Sequence, residues 1–259
     1  MDPSSREQPW VEPDAIDPVA PPLRSPTLAH QWWRDVSFLH WRVDASRVAD
    51  LLPPGVRPDV IDGSTWVGLI PFRMSAAGPG GRWSVPWAGD FLEYNVRLYS
   101  VDERGRRGIV FLSLDAQRLL VVAGVNAALR IPYRWARMSC AHPAPGLDPS
   151  GERLVYTSVR RAPGRARTHL EVEVGEPIGR PSELDHFLTA RFGAHTHAWG
   201  RTWWVPVTHA PWPLRRARAR VVDDELVAAA GLPGLSGSAP DSVLFSSGVH
   251  VLFGRPERV

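Results

Sequence analysis

Lysine is absent from all 259 residues, so every one of the 30 basic side chains is an arginine. That removes the ε-amine through which lysine forms covalent imines with carbonyl compounds, and the guanidinium cannot replace it because it is not deprotonated in proteins. Cysteine is nearly absent too. Cys140 stands alone, cannot form an internal disulfide, and fits a reducing compartment. No apolar run approaches the roughly 18 residues a spanning helix needs, and the first residues carry no apolar signal core. The expectation is a cytoplasmic protein with no membrane partner. Charge of one sign is also lacking: 27 acidic residues offset the arginines, and a formal charge of +3 implies no nucleic-acid partner. Neither a Gly-x-Ser-x-Gly elbow, a phosphate loop nor a dinucleotide fingerprint occurs, so no cofactor is expected.

What is present reads as a large β core. The apolar fraction is 44% and there are 12 tryptophans. Residues 1–29 hold seven prolines and almost no periodic pattern, the composition of a disordered tail. From residue 30 to 255 the pattern is that of one domain. Trp32 to Val43 alternates as a long strand, and Asp44 caps a short helix over Ala45 to Leu52. Further strands are expected over Ser64–Met74, Leu92–Val101, Arg107–Leu114, Glu152–Arg160, Arg167–Val174, His195–Val205, Leu214–Val222 and Ser242–Phe253. The second and third of these form a hairpin across Asp102–Arg106. Gln117 to Leu129 reads as a helix that stops at Ile131, because Pro132 biases Ile131 away from helical angles. Trp135 to Ala141 then alternates as a half-buried strand. Ser182 with Asp185 predicts a capping box for a helix through Phe192, and Asp223 to Ala230 a last short helix closed by Gly231. The fold class is mainly β (α+β): a large, mostly antiparallel sheet curled into a barrel-like or sandwich core with three or four short helices.

Seven stretches carry a resemblance. Phe91-Leu92-Glu93-Tyr94-Asn95-Val96-Arg97, Phe111 to Ala116 and Ile131-Pro132-Tyr133 through Met138 look like the YqjF-like family of uncharacterised proteins. Trp41 to Asp44, Leu51 to Gly55, Pro211 to Leu214 and Phe245 to Val249 fit the opening and the end of that family. The family is similar in fold to acetoacetate decarboxylase, whose elbow carries an aromatic-Pro-Lys-Lys run. Tyr133 and Arg134 stand at the two lysine positions, so the resemblance implies the fold and a pocket without Schiff-base chemistry. It also implies a pocket arginine at Arg34 and a pocket glutamate at Glu93.

Those four residues make a chemically coherent set. Arg34 and Arg134 could clamp a carboxylate in two-point fashion. Glu93, in an apolar pocket, would hold its proton to near neutrality and act as acid or base, while the Tyr133 hydroxyl would donate to a carbonyl oxygen or enolate. The competing reading is an internal salt bridge between Glu93 and one of the arginines. Trp83 and Trp87, in a Gly/Pro-rich loop, are a candidate pocket lid or else plain core filling. His195 and His197 share a strand face at metal-ligand spacing, with His209 as a third, but without a cysteine or nearby carboxylate they read as partly exposed surface residues and no metal is assigned. Arg216, Arg218 and Arg220 alternate with Ala217 and Ala219 as the solvated face of a strand rather than a nucleic-acid patch. The function expected is a lysine-independent lyase, hydratase or isomerase acting on a keto or carboxylate compound. The alternative is a non-catalytic module binding the same small molecule; a homo-oligomer is left open.

Overall fold

Alternation of apolar and polar side chains dictates strands along most of the chain, and strands are what form. The computed structural model describes residues 10–81, 89–118, 131–142, 152–161 and 164–259. Within these lie β1 (Ala29–Val43), β2 (Val56–Pro58), β3 (Thr65–Pro79), β4 (Phe91–Asp102), β5 (Arg107–Ala116), β6 (Tyr133–Ala141) and β7 (Arg153–Arg160). They continue as β8 (Arg167–Pro177), β9 (Gly193–Ala198), β10 (Arg201–His209), β11 (Leu214–Asp224), β12 (Ser242–Phe253) and β13 (Glu257–Arg258). All belong to one sheet. Its ladders run β5-β6-β7-β8-β11-β12-β1-β3-β4, and β4 pairs back onto β5, so the hydrogen bonding returns to its starting strand. A second path leaves β5 through β9 and β10 to β12. Every pairing is antiparallel except those of β5 with β6 and β9.

Strand β4 is the axis of the site. All of its residues are buried, because both faces are covered. Leu92, Tyr94, Val96 and Leu98 join the larger apolar core with Leu39, Trp41, Tyr156 and Leu170. Phe91 faces the other way, into a smaller cluster with Val36, Phe38, Ile70, Phe72 and Leu214.

The helices are shorter than the sequence pattern predicts. Ser182 and Asp185 do form the reciprocal capping box, but the helix spans only Glu183–Thr189. The expected helix after Asp44 is two 3-10 turns, Ala45–Arg47 and Ala49–Leu51. Pro53 holds Leu52 extended at φ −90 and ψ 149, which ends the second turn. The last helix is Leu226–Ala229. Among the described residues no helix is long and apolar enough to cross a membrane. The helix expected over Gln117–Leu129 lies almost wholly outside the described residues.

The proline-rich segment expected to be a disordered tail has contacts from residue 10 onward, a docking that its missing periodicity does not predict. Trp10 lies under the Arg57 guanidinium at 5.1 Å. The Asp14 N–H donates to the Gly105 carbonyl at 2.8 Å, and Arg107 Nε donates to the Asp14 carbonyl at 2.6 Å. Ile16 packs on Trp66, Tyr99 and Phe187, and Leu28 donates to the Phe253 carbonyl.

Candidate functional site

Glu93 is a carboxylate on a strand whose neighbours are apolar, and the fold leaves it 3% exposed between Phe72 of β3 and Ala116 of β5. A carboxylate removed from water needs a donor or a proton. Tyr133 supplies the donor: its hydroxyl gives a 2.7 Å hydrogen bond to Glu93 Oε2. The elbow positions Tyr133. Pro132 has no N–H to give, its carbonyl accepts from the Leu114 N–H, and Tyr133 becomes the first residue of β6, parallel to β5. Burial pushes the Glu93 carboxyl up to about 7, against the hydrogen bonds from Tyr133 and Asn95 that favour its anion. Burial, reinforced by Glu93, pushes the Tyr133 phenol well above its ordinary value, so it stays a donor.

The two arginines expected beside this pair are elsewhere, and each departure has a backbone cause. Arg34 is exposed; Nε donates to Ser75 Oγ at 3.1 Å and the guanidinium covers Trp32 at 4.8 Å. An irregularity in the β1–β3 ladder falls between Arg34 and Leu39, where Asp35 has φ 50. The irregularity shifts the alternation by one, so Trp33 and Val36 both join the inner cluster and Arg34 turns outward. Arg134 follows Tyr133 on a regular strand. With Tyr133 inward, the next side chain must point out, and Arg134 is exposed. Glu93 therefore forms neither the two-arginine clamp nor the competing salt bridge, and its polar partner on the elbow is the tyrosine. Trp83 and Trp87 lie outside the described residues.

Alternation along β4 places two more polar groups on the Glu93 face, a signal the sequence carries but that attention to Glu93 alone misses. Asn95 is 5% exposed, and its Oδ1 is buried without a hydrogen-bond partner. Arg97 is 7% exposed, with Nε and Nη2 donating to the Tyr99 hydroxyl at 3.3 and 3.0 Å and Nη2 also to the Leu188 carbonyl at 2.9 Å. Next to it His40 shares a 2.7 Å hydrogen bond with Tyr99, while its Nδ1 has no partner. Aromatic rings close this interior face: Phe38 and Trp212 meet edge-on at 5.2 Å, and Trp33 stacks on Trp212 at 6.0 Å. Four cavities of the described residues lie elsewhere, and neither Glu93 nor Tyr133 lines them.

A second constellation looks chemical but is structural. His195, expected at the surface, is instead buried, 2.9 Å from Ser100 Oγ through Nδ1 and 3.4 Å from Asp102 Oδ2 through Nε2. Ser100 and Asp102 are fully buried, and the Trp204 ring sits 4.8 Å from the imidazole. Burial raises the Asp102 carboxyl, but hydrogen bonds from His195 and Arg106 outweigh it and hold the group at about 2. A hydroxyl that nothing can reach is no nucleophile. The trio ties β4 to β9 across the parallel join. Of the other strand histidines, His197 is exposed and His209 packs between Phe192 and Trp212.

A mainly β sheet that returns on itself, with a polar row on an inner face, defines the class: the chain has the acetoacetate-decarboxylase-like fold. The enduracididine biosynthesis enzyme MppR, in its HEPES-bound structure, superposes with a TM-score of 0.62 at 15% identity, covering 91% of this chain and 88% of that one. Acetoacetate decarboxylase from Legionella pneumophila gives 0.60 at 13% identity over 91% and 88%. An acetoacetate decarboxylase-like enzyme from Sphingomonas wittichii RW1 gives 0.60 at 14% over 90% and 93%. The chain itself belongs to the DUF2071 family, described as "Uncharacterized conserved protein", whose model matches residues 30–250. It is 30% identical over 210 residues to the uncharacterized protein YqjF of Bacillus subtilis (strain 168), covering 79% of this chain and 82% of YqjF.

Proposed function

We propose that this protein binds a small oxo or carboxylate compound against Glu93 and Tyr133 and moves a proton on it, as a lyase, hydratase or isomerase that needs no lysine. The observation that carries the reading is the 2.7 Å hydrogen bond between a buried carboxyl pushed up to about 7 and a half-buried phenol that keeps its proton. A group with that affinity can take or give a proton near neutrality. In the step envisaged, the carbon–hydrogen bond beside a ligand carbonyl breaks and its proton goes to Glu93. The electron pair passes to the carbonyl oxygen, which receives the hydrogen bond that Tyr133 otherwise gives to Glu93. The oxo-acid class is supported by the fold relative MppR, one of whose structures is a complex with pyruvate.

The test is deuterium uptake. Incubated in D2O with 2-octanone or 7-oxooctanoate, the wild-type protein should catalyse exchange of the protons beside the carbonyl, followed by proton NMR. Glu93→Gln should lower that exchange by about 100-fold or more. Retained exchange in Glu93→Gln would reject Glu93 as the base. Binding without exchange in the wild type would leave the protein a non-catalytic binding module.

A further inference from the structure

We propose that Arg97 is the anion-binding residue of the Glu93 site, and that the ligand is an oxo acid whose carboxylate lies several bonds from its reacting carbonyl. The proposal rests on the reading of Glu93 given above and adds the ligand's second anchor. Three arginines are buried among the described residues. Two have carboxylates: Arg160 pairs with Asp115 and Arg191 with Asp59. Arg97 is the exception. Its donors reach a phenol and a main-chain carbonyl, and among the described residues no carboxylate forms an ion pair with it. A buried guanidinium without a counter-charge is costly, and the cost is relieved when an anion arrives.

Space is kept for this group by a glycine. A Cβ on Gly68 would stand 3.3 Å from Arg97 Cγ and 3.2 Å from His40 Cδ2, closer than most such contacts. The charge at this end of the row is not answered by its neighbour, since burial and then Arg97 push the His40 imidazole well below its ordinary value and keep it neutral. Asn95, between Glu93 and Arg97 on the same strand face, has an Oδ1 still lacking a donor, a second polar valence that the fold itself leaves open. The strand rise of about 3.3 Å per residue sets the Cα atoms of residues 93 and 97 about 13 Å apart, and the Arg97 side chain leans towards Tyr99, away from Glu93. An α-oxo acid such as pyruvate cannot touch both ends. A longer one can, reaching the guanidinium that lies over the Phe38 ring.

Isothermal titration calorimetry on the full chain tests this with 7-oxooctanoate, 2-octanone and pyruvate. The long oxo acid should bind at least about tenfold more tightly than either the ketone or pyruvate, the advantage of one charge-assisted fork. Arg97→Gln should erase that advantage, so that the variant binds 7-oxooctanoate no more tightly than it binds 2-octanone; Arg97→Lys should keep part of it. No binding of 7-oxooctanoate, no advantage in the wild type, or an advantage that survives Arg97→Gln would each overturn the proposal. The wild-type comparison stands even if Arg97→Gln fails to fold. An Arg97-dependent acid preference without deuterium exchange would reject catalysis and keep the anion site. Exchange without acid preference would do the reverse.

Discussion

At the scale of single residues, Glu93 is a group whose proton affinity and whose contribution to folding pull in opposite directions. Its folded value of about 7 lies above the ordinary 4.5, because burial penalises the anion. A carboxyl raised in this way contributes stability that is fully present below about pH 4.5 and is lost as pH rises through 7. The 2.5-unit difference corresponds to on the order of 3 kcal/mol by pH 8. Glu93→Gln should therefore unfold at higher denaturant than the wild type at pH 8, by on the order of 1–3 kcal/mol, with the gain fading towards pH 5. An equal effect at both pH values would show that the carboxyl is not titrating in the fold. With Glu93 as the proposed base, exchange activity should climb from pH 6 to 8 with a midpoint close to 7, because the carboxyl must lose its proton to accept another. Arg34 and Arg134, both exposed, should be dispensable. Replacing either with glutamine should leave that profile in place and shift stability by less than about 0.5 kcal/mol.

At the scale of elements, most strands were legible in the sequence, but the one expected over His195–Val205 is the hairpin of β9 and β10 turning at Trp199-Gly200, and the side-chain phase within strands was not always legible. Period-two alternation marks β4, β5, β8 and β11, and in β11 Arg216, Arg218 and Arg220 are exposed as the alternation implies. Ser182 and Asp185 announced their capping box. Glu93 and Tyr133 could be brought together only through the family resemblance, because no local pattern links a mid-sheet strand to a turn forty residues later. What defeated the reading of Arg34 is a backbone event with no side-chain signature. Asp35 takes a positive φ, and the strand alternates in one phase before it and the other after it. On the other side of β1, Gly248 of β12 lies opposite Arg34 at φ +125, where a Cβ would overlap the Trp33 carbonyl. Gly248→Ala should thus be among the most damaging alanine substitutions, costing more than about 3 kcal/mol in equilibrium denaturation. Gly63→Ala is the comparison, with φ +76 but nothing within 4 Å of its Cβ. It should cost only about 1 kcal/mol. Similar losses at the two sites would mean that φ alone, and not the close approach to β1, governs Gly248.

At the scale of the whole molecule, the sheet returns upon itself through β4 and β5, so both faces of β4 are interior and a polar row can be held away from water without a separate lid domain. That closure also leaves an end to cover, and the N-terminal segment runs across it. Between this segment and the sheet lies a cavity of about 630 Å³ whose walls include Ile16, Phe187, Phe192, Trp204 and Val207. Asp14 is held by Gly105 and Arg107 at one end, and the Ser25 hydroxyl accepts from the Arg255 N–H at 2.7 Å near the other, so the segment is tied at both ends of its path. Each such hydrogen bond is worth about 0.5–1.5 kcal/mol net, and ordering the backbone subtracts from the sum. The five prolines of residues 10–28 reduce that subtraction, because their φ angles are restricted before docking. Loss of the segment's contacts should lower the melting temperature of a chain beginning at Ala29, by about 2–4 °C for each kcal/mol the docking contributes in a domain of this size. It should also bind a hydrophobic dye that the full chain excludes, since Phe187 and Trp204 lose their cover. Equal melting temperatures and equal dye binding would show that the segment rests on the sheet without supporting it.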